Sequence, residues 1–206
     1  MKKLIPYQNI NTALKSLDNG GRFYNILTKA EDGIISQAEL GKVGGIFGSK
    51  QQSILFLEMS ISALSEKEEA GVLSQLDDGL QKQYQKHKAQ HLQASEANKK
   101  AQLSSNAIIT GIPKLTDSKT DFMGFIMMPI STGEVTTFSM IPLIDQYDVY
   151  ELRDESSLES FFIAHARGSE QLPAEKITVG GVIKEMSSEE EKPLGKFLET
   201  VYYMEN

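Results

Sequence analysis

At 206 residues the chain is long enough for one substantial domain or two modest ones, and its 40% hydrophobic and 24% charged residues exclude wholesale disorder, collagen-like repeats and a bundle of membrane spans. It has no cysteine, which removes disulfides, thiolate nucleophiles, iron–sulfur clusters and Cys-type zinc sites together. Its 21 Lys+Arg against 28 Asp+Glu leave a net charge of −7, the wrong sign for a protein that coats nucleic acid, because phosphate binding needs concentrated positive charge.

That charge is unevenly spread. Residues 1–106 hold 13 basic and 11 acidic groups, whereas residues 107–206 hold 8 and 17, a balance of −9. Lys2 and Lys3 could open a secretory leader, but Pro6, Gln8, Asn9 and Asn11 interrupt the apolar run such a leader needs, so a cytoplasmic location is expected. The best apolar run, Met123 to Ile130, falls far short of the ~20 residues of a membrane helix, and no membrane partner is expected.

From Asn9 to about Gln102 the apolar residues recur at helical spacing. Ala13, Leu14 and Leu17 predict a short helix ended by Asn19-Gly20-Gly21, and Phe23, Ile26 and Leu27 a second short piece. Ile54, Leu55, Leu57, Met59, Ile61 and Leu64 predict a helix over 50–64 that is buried on most of its circumference, with Ser49 as its N-cap. Ser65 and Glu68 form a capping box, after which Val72, Leu76, Leu80 and Tyr84 make a ladder on one face. Residues 85–102 keep helix propensity with little to bury, so a projecting, exposed helix over about 65–102 is expected. The domain boundary then falls near 100–107, giving a helical module over 1–104 and an acidic β-rich domain over 107–206.

In the second half the period changes to two. Strands are predicted at 107–115, 122–130, 135–144, 176–185 and 197–203, with turns at Asp117-Ser118 and Ser131-Thr132-Gly133. One helix is expected between the third and fourth strands, from a capping box at Ser156 and Glu159 through Leu158, Phe161, Phe162 and Ala164 to a stop at Gly168. The fold class is therefore α+β. Three strands, a helix and two strands, with Gly180 and Gly181 placed to bend a strand, resemble the oligonucleotide/oligosaccharide-binding (OB) fold, which implies a small five-stranded barrel. Pro129 and Pro142 depart from it, since proline inside a strand is tolerated only at an edge or bulge. An open, mainly antiparallel sheet covered by one helix is the alternative.

Three features carry chemistry. Thr28 to Glu39 resembles an EF-hand calcium loop, with Asp32 at the fifth position, Gly33 at the sixth and Glu39 at the twelfth. The same string resembles the helix starts of the tellurite-resistance type B helical domains, which implies a helical, metal-sensing module. Ala30 leaves the third EF-hand ligand position empty, and a turn at Asp32-Gly33 followed by a Ser36–Glu39 capping box uses the same residues without metal. Calcium is the one cofactor the sequence suggests, through Asp32 and Glu39.

His87 and His91 lie four apart, the spacing of zinc-binding helices, but Lys88 stands where such a motif has its glutamate, and solvated histidines are the reading preferred. His165 is placed at a helix C-terminus. Lys82, Lys86, Lys88, Lys99 and Lys100 against Glu96 make residues 81–102 net +4, a patch suited to docking on an acidic protein surface, of this chain or another, and a route to oligomers through the 65–102 helix. Lacking arginine, it is poorly suited to nucleic acid.

Catalysis has no complete local motif: no Gly-x-Ser-x-Gly string, no phosphate loop, and acidic residues Asp145, Asp148, Glu151, Asp154 and Glu155 that read as a solvated loop. The expectation is a non-enzymatic interaction or scaffold protein with a protein partner. Two alternatives stand beside it: single-stranded nucleic acid stacked on Phe122, Phe125, Phe138, Tyr147 and Tyr150, or a divalent-metal-responsive helical module.

Overall fold

The computed structural model describes all residues except 22–29, 117–123, 133–134, 156, 158, 169–170, 189, 191 and 206. The chain is α+β and divides into two compact units, residues 4–89 and residues 1–3 with 90–206. The first unit is thus inserted in the chain after the first three residues of the second. Among the described residues no helix is long and apolar enough to cross a membrane.

The helical unit contains α1 (Ile10–Leu17), α2 (Gln37–Gly44), α3 (Lys50–Ile61), α4 (Glu66–Leu73) and α5 (Asp78–His87). Each starts on a side-chain cap: Asn9 accepts the Thr12 amide, Ser36 that of Glu39, Ser49 that of Gln52 and Asp77 that of Leu80, while at α4 Glu68 accepts the Ser65 amide and hydroxyl. Helix α3 is buried from Ser53 to Ile61, as its crowded apolar sequence predicts, and α2 and α5 pack on it. The predicted piece around Phe23 to Leu27 lies outside the described residues.

The long helix over 65–102 is not formed. Asp77 turns its carboxylate to cap α5 rather than continue α4, and the chain between them pairs with Ile35, whose amide donates to the Gln75 carbonyl at 2.7 Å and whose carbonyl accepts the Asp77 amide at 2.9 Å. Beyond Lys88 the backbone becomes extended, and Gln90–Gln93 forms a strand, β2, before the short helix α6 (Ala94–Lys100). The projecting arm, and the route to oligomers through it, lose their basis.

The second unit is built on one mixed sheet whose other strands are β1 (Lys2–Lys3), β3 (Asn106–Leu115), β4 (Phe125–Thr132), β5 (Val135–Pro142), β6 (Tyr147–Arg153), β7 (Ser160–Ala166), β8 (Ile177–Ser187) and β9 (Pro193–Glu205), with a one-turn helix α7 (Leu143–Gln146) before β6. Strand β3 pairs antiparallel with β6, β6 with β7, β7 parallel with β9, and β9 antiparallel with β8, which pairs antiparallel with β3. Five strands thus close a cycle of pairings. Strands β4 and β5 form a hairpin inserted between β3 and β6 and joined to β8 at Phe125–Ser187.

The inward residues include Ile109 of β3, Leu152 of β6, Phe161 and Ile163 of β7, Val179 of β8 and Leu198 of β9, all fully buried, and the alanines Ala94, Ala97 and Ala101 at α6 join the same cluster. A second cluster lies on the other face, where Val149, Ala164 and Phe197 meet Leu143 of α7 and Ile126 of the hairpin. This two-sided burial hides a strand from the sequence pattern. In the segment predicted as a helix over 156–167, Ser160–Ala166 is strand β7, while Ser156 and Leu158 lie outside the described residues: the Phe161-Phe162-Ile163-Ala164 run is apolar on both faces because both are covered, so the period-two signal vanishes. Of the carboxylate-rich stretch read as a loop, Asp148 and Glu151 lie in β6 between the buried Val149, Tyr150 and Leu152, Asp145 lies in α7, and Asp154 and Glu155 follow β6.

The other predicted strands are found, except that Leu143 and Ile144 belong to α7 and that residues 122–123 and the turn predicted at 117–118 lie outside the described residues. A register shift falls between Gly180 and Gly181, and a Cβ at Gly181 would run into the Glu199 carbonyl oxygen, so the glycine lets two strands approach. Pro142 ends β5 and caps α7, and Pro129 sits where β4 has only β5 beside it.

Candidate ligand cleft

A hollow of ≈ 400 Å³ with mixed apolar and polar lining opens beside the foot of the hairpin. Three kinds of residue line it. Ile126 and Met127 come from β4, Tyr147 from the first position of β6, and Lys184, Phe197 and Glu199 from the outward positions of β8 and β9. The pairing of Lys184 with Phe197 and Val182 with Glu199 sets the ammonium and the carboxylate side by side.

At its centre Glu199 joins two groups. Its Oε1 accepts the Tyr147 hydroxyl at 2.6 Å, and its Oε2 faces the Lys184 Nζ at 3.1 Å. Burial, reinforced by the Glu199 carboxylate, pushes the Tyr147 hydroxyl well above its ordinary range, so it stays a neutral donor that holds Glu199 in place. The Tyr147 ring meets Phe197 edge-on at 6.4 Å. Met127 and Phe138, 46% and 65% exposed, lie on one face of the hairpin, opposite the face through which Ile126 packs on the second cluster. An apolar strip therefore runs from the rim of the cleft along the hairpin.

Two further hollows each have a lining carboxylate committed to backbone amides. In the ≈ 390 Å³ cleft around Asp154, that carboxylate accepts the amides of Ala94 at 3.1 Å and Ser95 at 3.0 Å; burial opposes its ionisation, but the Ser95 hydroxyl and these amides outweigh it and hold the group below the usual carboxylate range. In the helical unit a ≈ 290 Å³ hollow is lined by Asp18, which accepts the amides of Asp32 at 3.2 Å and Gly33 at 2.7 Å.

The metal candidates are engaged in the same way. Glu39 is buried, with Oε1 accepting the Gly20 amide and Oε2 the Ser36 amide and hydroxyl, each at 2.8 Å: this is the capping box. Asp32 accepts the Ile34 amide at 3.0 Å, and Thr28 lies outside the described residues. Among the described residues no group of three or more histidines and carboxylates is placed to hold a metal ion.

The predicted basic patch is divided. Lys82 and Lys86 lie on α5, and Lys88 follows it with its ammonium 5.8 Å from the Tyr84 ring centre. Lys99 and Lys100 lie on α6 in the other unit, paired with Glu159 at 3.1 Å and Glu96 at 2.5 Å. His87 ends α5 and His91 lies in β2, so they share no helix face. His165 is on β7, buried, with its ring stacked on Tyr150 at 5.5 Å and its Nδ1 3.1 Å from the Ala166 carbonyl oxygen.

Of the proposed stacking residues, Tyr150 is 2% exposed and unavailable, Phe125 and Tyr147 are half-buried, Phe138 is exposed, and Phe122 lies outside the described residues. Among the described ones Tyr147 alone lines the cleft. Lys184 and Glu199 were missed; the signal was present, since each is a charged residue at an outward position of an apolar strand, but only the β8–β9 register brings them together. Compared with known proteins, the chain matches no family model and no curated relative.

Proposed function

We propose that the chain is a non-enzymatic protein-interaction protein whose second unit is an OB-like five-stranded barrel, receiving an extended partner segment in the cleft beside the β4–β5 hairpin. The carrying observation is the closed cycle of pairings β3–β6–β7–β9–β8–β3, filled by side chains as small barrels are. In OB barrels the connection between the first two strands is a binding element, and here that connection contains the hairpin whose β4 lines the cleft. The helix an OB barrel carries after its third strand is replaced in this reading by α6, which precedes the first.

Panning a random peptide library on the purified chain tests this. Enriched peptides are expected to bind the parent and to lose binding to a Met127→Asp, Phe138→Asp double variant of unchanged melting temperature. No enrichment, or equal binding to the variant, defeats the reading. Single-stranded nucleic acid is the second reading, favoured by the exposed Phe138 ring and opposed by the −9 charge of residues 107–206.

A further inference from the structure

Resting on that interaction reading, we propose that the cleft selects a basic side chain, so that the partner segment is an extended stretch with an arginine or lysine between apolar residues. The ionisable groups lining the cleft are Lys184, Glu185 and Glu199 beside the neutral Tyr147, a net single negative charge. The unit around it holds 12 Lys+Arg and 18 Asp+Glu, so the long-range field has the same sign.

Glu199 is the receptor group. The Tyr147 hydroxyl fixes one of its oxygens, so the carboxylate is preorganised and no ordering is needed on binding. Among the described residues the other oxygen is held only by Lys184, whose side chain is half exposed while that of Glu199 is 31% exposed. An ion pair this wet is weak, and the flexible lysine can leave it for water. A guanidinium taking its place forms two parallel hydrogen bonds where the ammonium forms one, and its methylene stem lies against Met127 and Tyr147. The flanking apolar residues then meet the strip from Met127 to Phe138. An anionic ligand in the same place would face two carboxylates.

Fluorescence anisotropy with labelled Gly-Ser-Leu-Arg-Leu-Ser-Gly, and with the same peptide carrying Met or Glu in place of Arg, tests the assignment on the full chain. The Arg peptide is expected to bind about fivefold tighter than the Met peptide, and the Glu peptide weakest. Added salt narrows the difference, and both Glu199→Gln and the rim variant Glu185→Gln reduce it. Equal affinities for the Arg and Met peptides, or an advantage indifferent to both variants, overturn this inference and leave the interaction reading standing. Tighter binding of labelled oligothymidylate than of any peptide overturns both.

Discussion

The buried carboxylate of Glu58, on α3, accepts the backbone N–H of Ala89 at 2.9 Å and so holds the last residue of the helical unit. Burial pushes this group from 4.5 up to about 7; the Ala89 amide and Lys88 pull it down, and Glu69 adds to the rise. Tyr84, pushed up to about 12 by burial, Glu58 and Glu69, titrates far outside that range. Because the folded value exceeds the unfolded one, the folded chain holds the proton more tightly. The contribution is complete below about 4.5 and is lost as pH rises through about 7. Urea unfolding is expected to show this share of stability falling by up to about 3 kcal/mol between about pH 5 and pH 8. Glu58→Gln keeps an acceptor for Ala89, flattens the slope and exceeds the parent in stability at the upper end. A variant with the parental slope would contradict the assignment.

Glu39 gives a prediction that separates capping from metal binding. Replacing it with Ala removes the carboxylate that accepts the Gly20 and Ser36 amides and the Ser36 hydroxyl, at a cost of about 1–3 kcal/mol. The melting temperature of the parent is expected to be the same in millimolar calcium and in EDTA. A rise with calcium that Glu39→Ala abolishes would restore the metal reading.

Gly181 sits where β8 and β9 shift register, with the Glu199 carbonyl oxygen in the way of any side chain. Gly181→Ala is expected to cost about 1–3 kcal/mol by forcing the strands apart. Because the displaced segment includes Glu199, peptide binding should weaken along with the denaturation midpoint; a neutral substitution would contradict the close approach.

Asp154 caps α6 through two amides. Asp154→Ala is expected to lower stability by about 1 kcal/mol. Hydrogen exchange supplies the sharper readout: the Ala94 and Ser95 amides should lose protection while those of β8 keep theirs. Unchanged exchange at both would show that the cap is not used in solution.

Much of the helical unit was legible because its signals are local. Ser49, and Ser65 with Glu68, act within a turn of the residues they cap, whereas α1 ends on Asp18, ahead of the glycines expected to stop it. The break of the 65–102 helix was not legible: it depends on Ile35 bridging to Leu76 and on β2 pairing with residues 107–110 of β3, contacts made far beyond the reach of a helical turn. Strand β7 misled for another reason. Alternation marks a strand only when one face is wet, and Ser160 to Ala166 has Phe161 against one cluster and Ala164 against the other. The cleft was invisible in part because Lys184 and Glu199 become neighbours only through register, whereas Gly180-Gly181 announced the bend beneath them.

The place of β9 in the cycle has a consequence for biosynthesis. Residues 4–89 all leave the ribosome before any ring strand, so the helical unit can fold while translation continues. Strand β9 joins β7 to β8 and emerges after both. Until then β7 and β8 each wait with an unpaired edge, the interval in which a nascent chain is most exposed to mispairing with its neighbours and to chaperones.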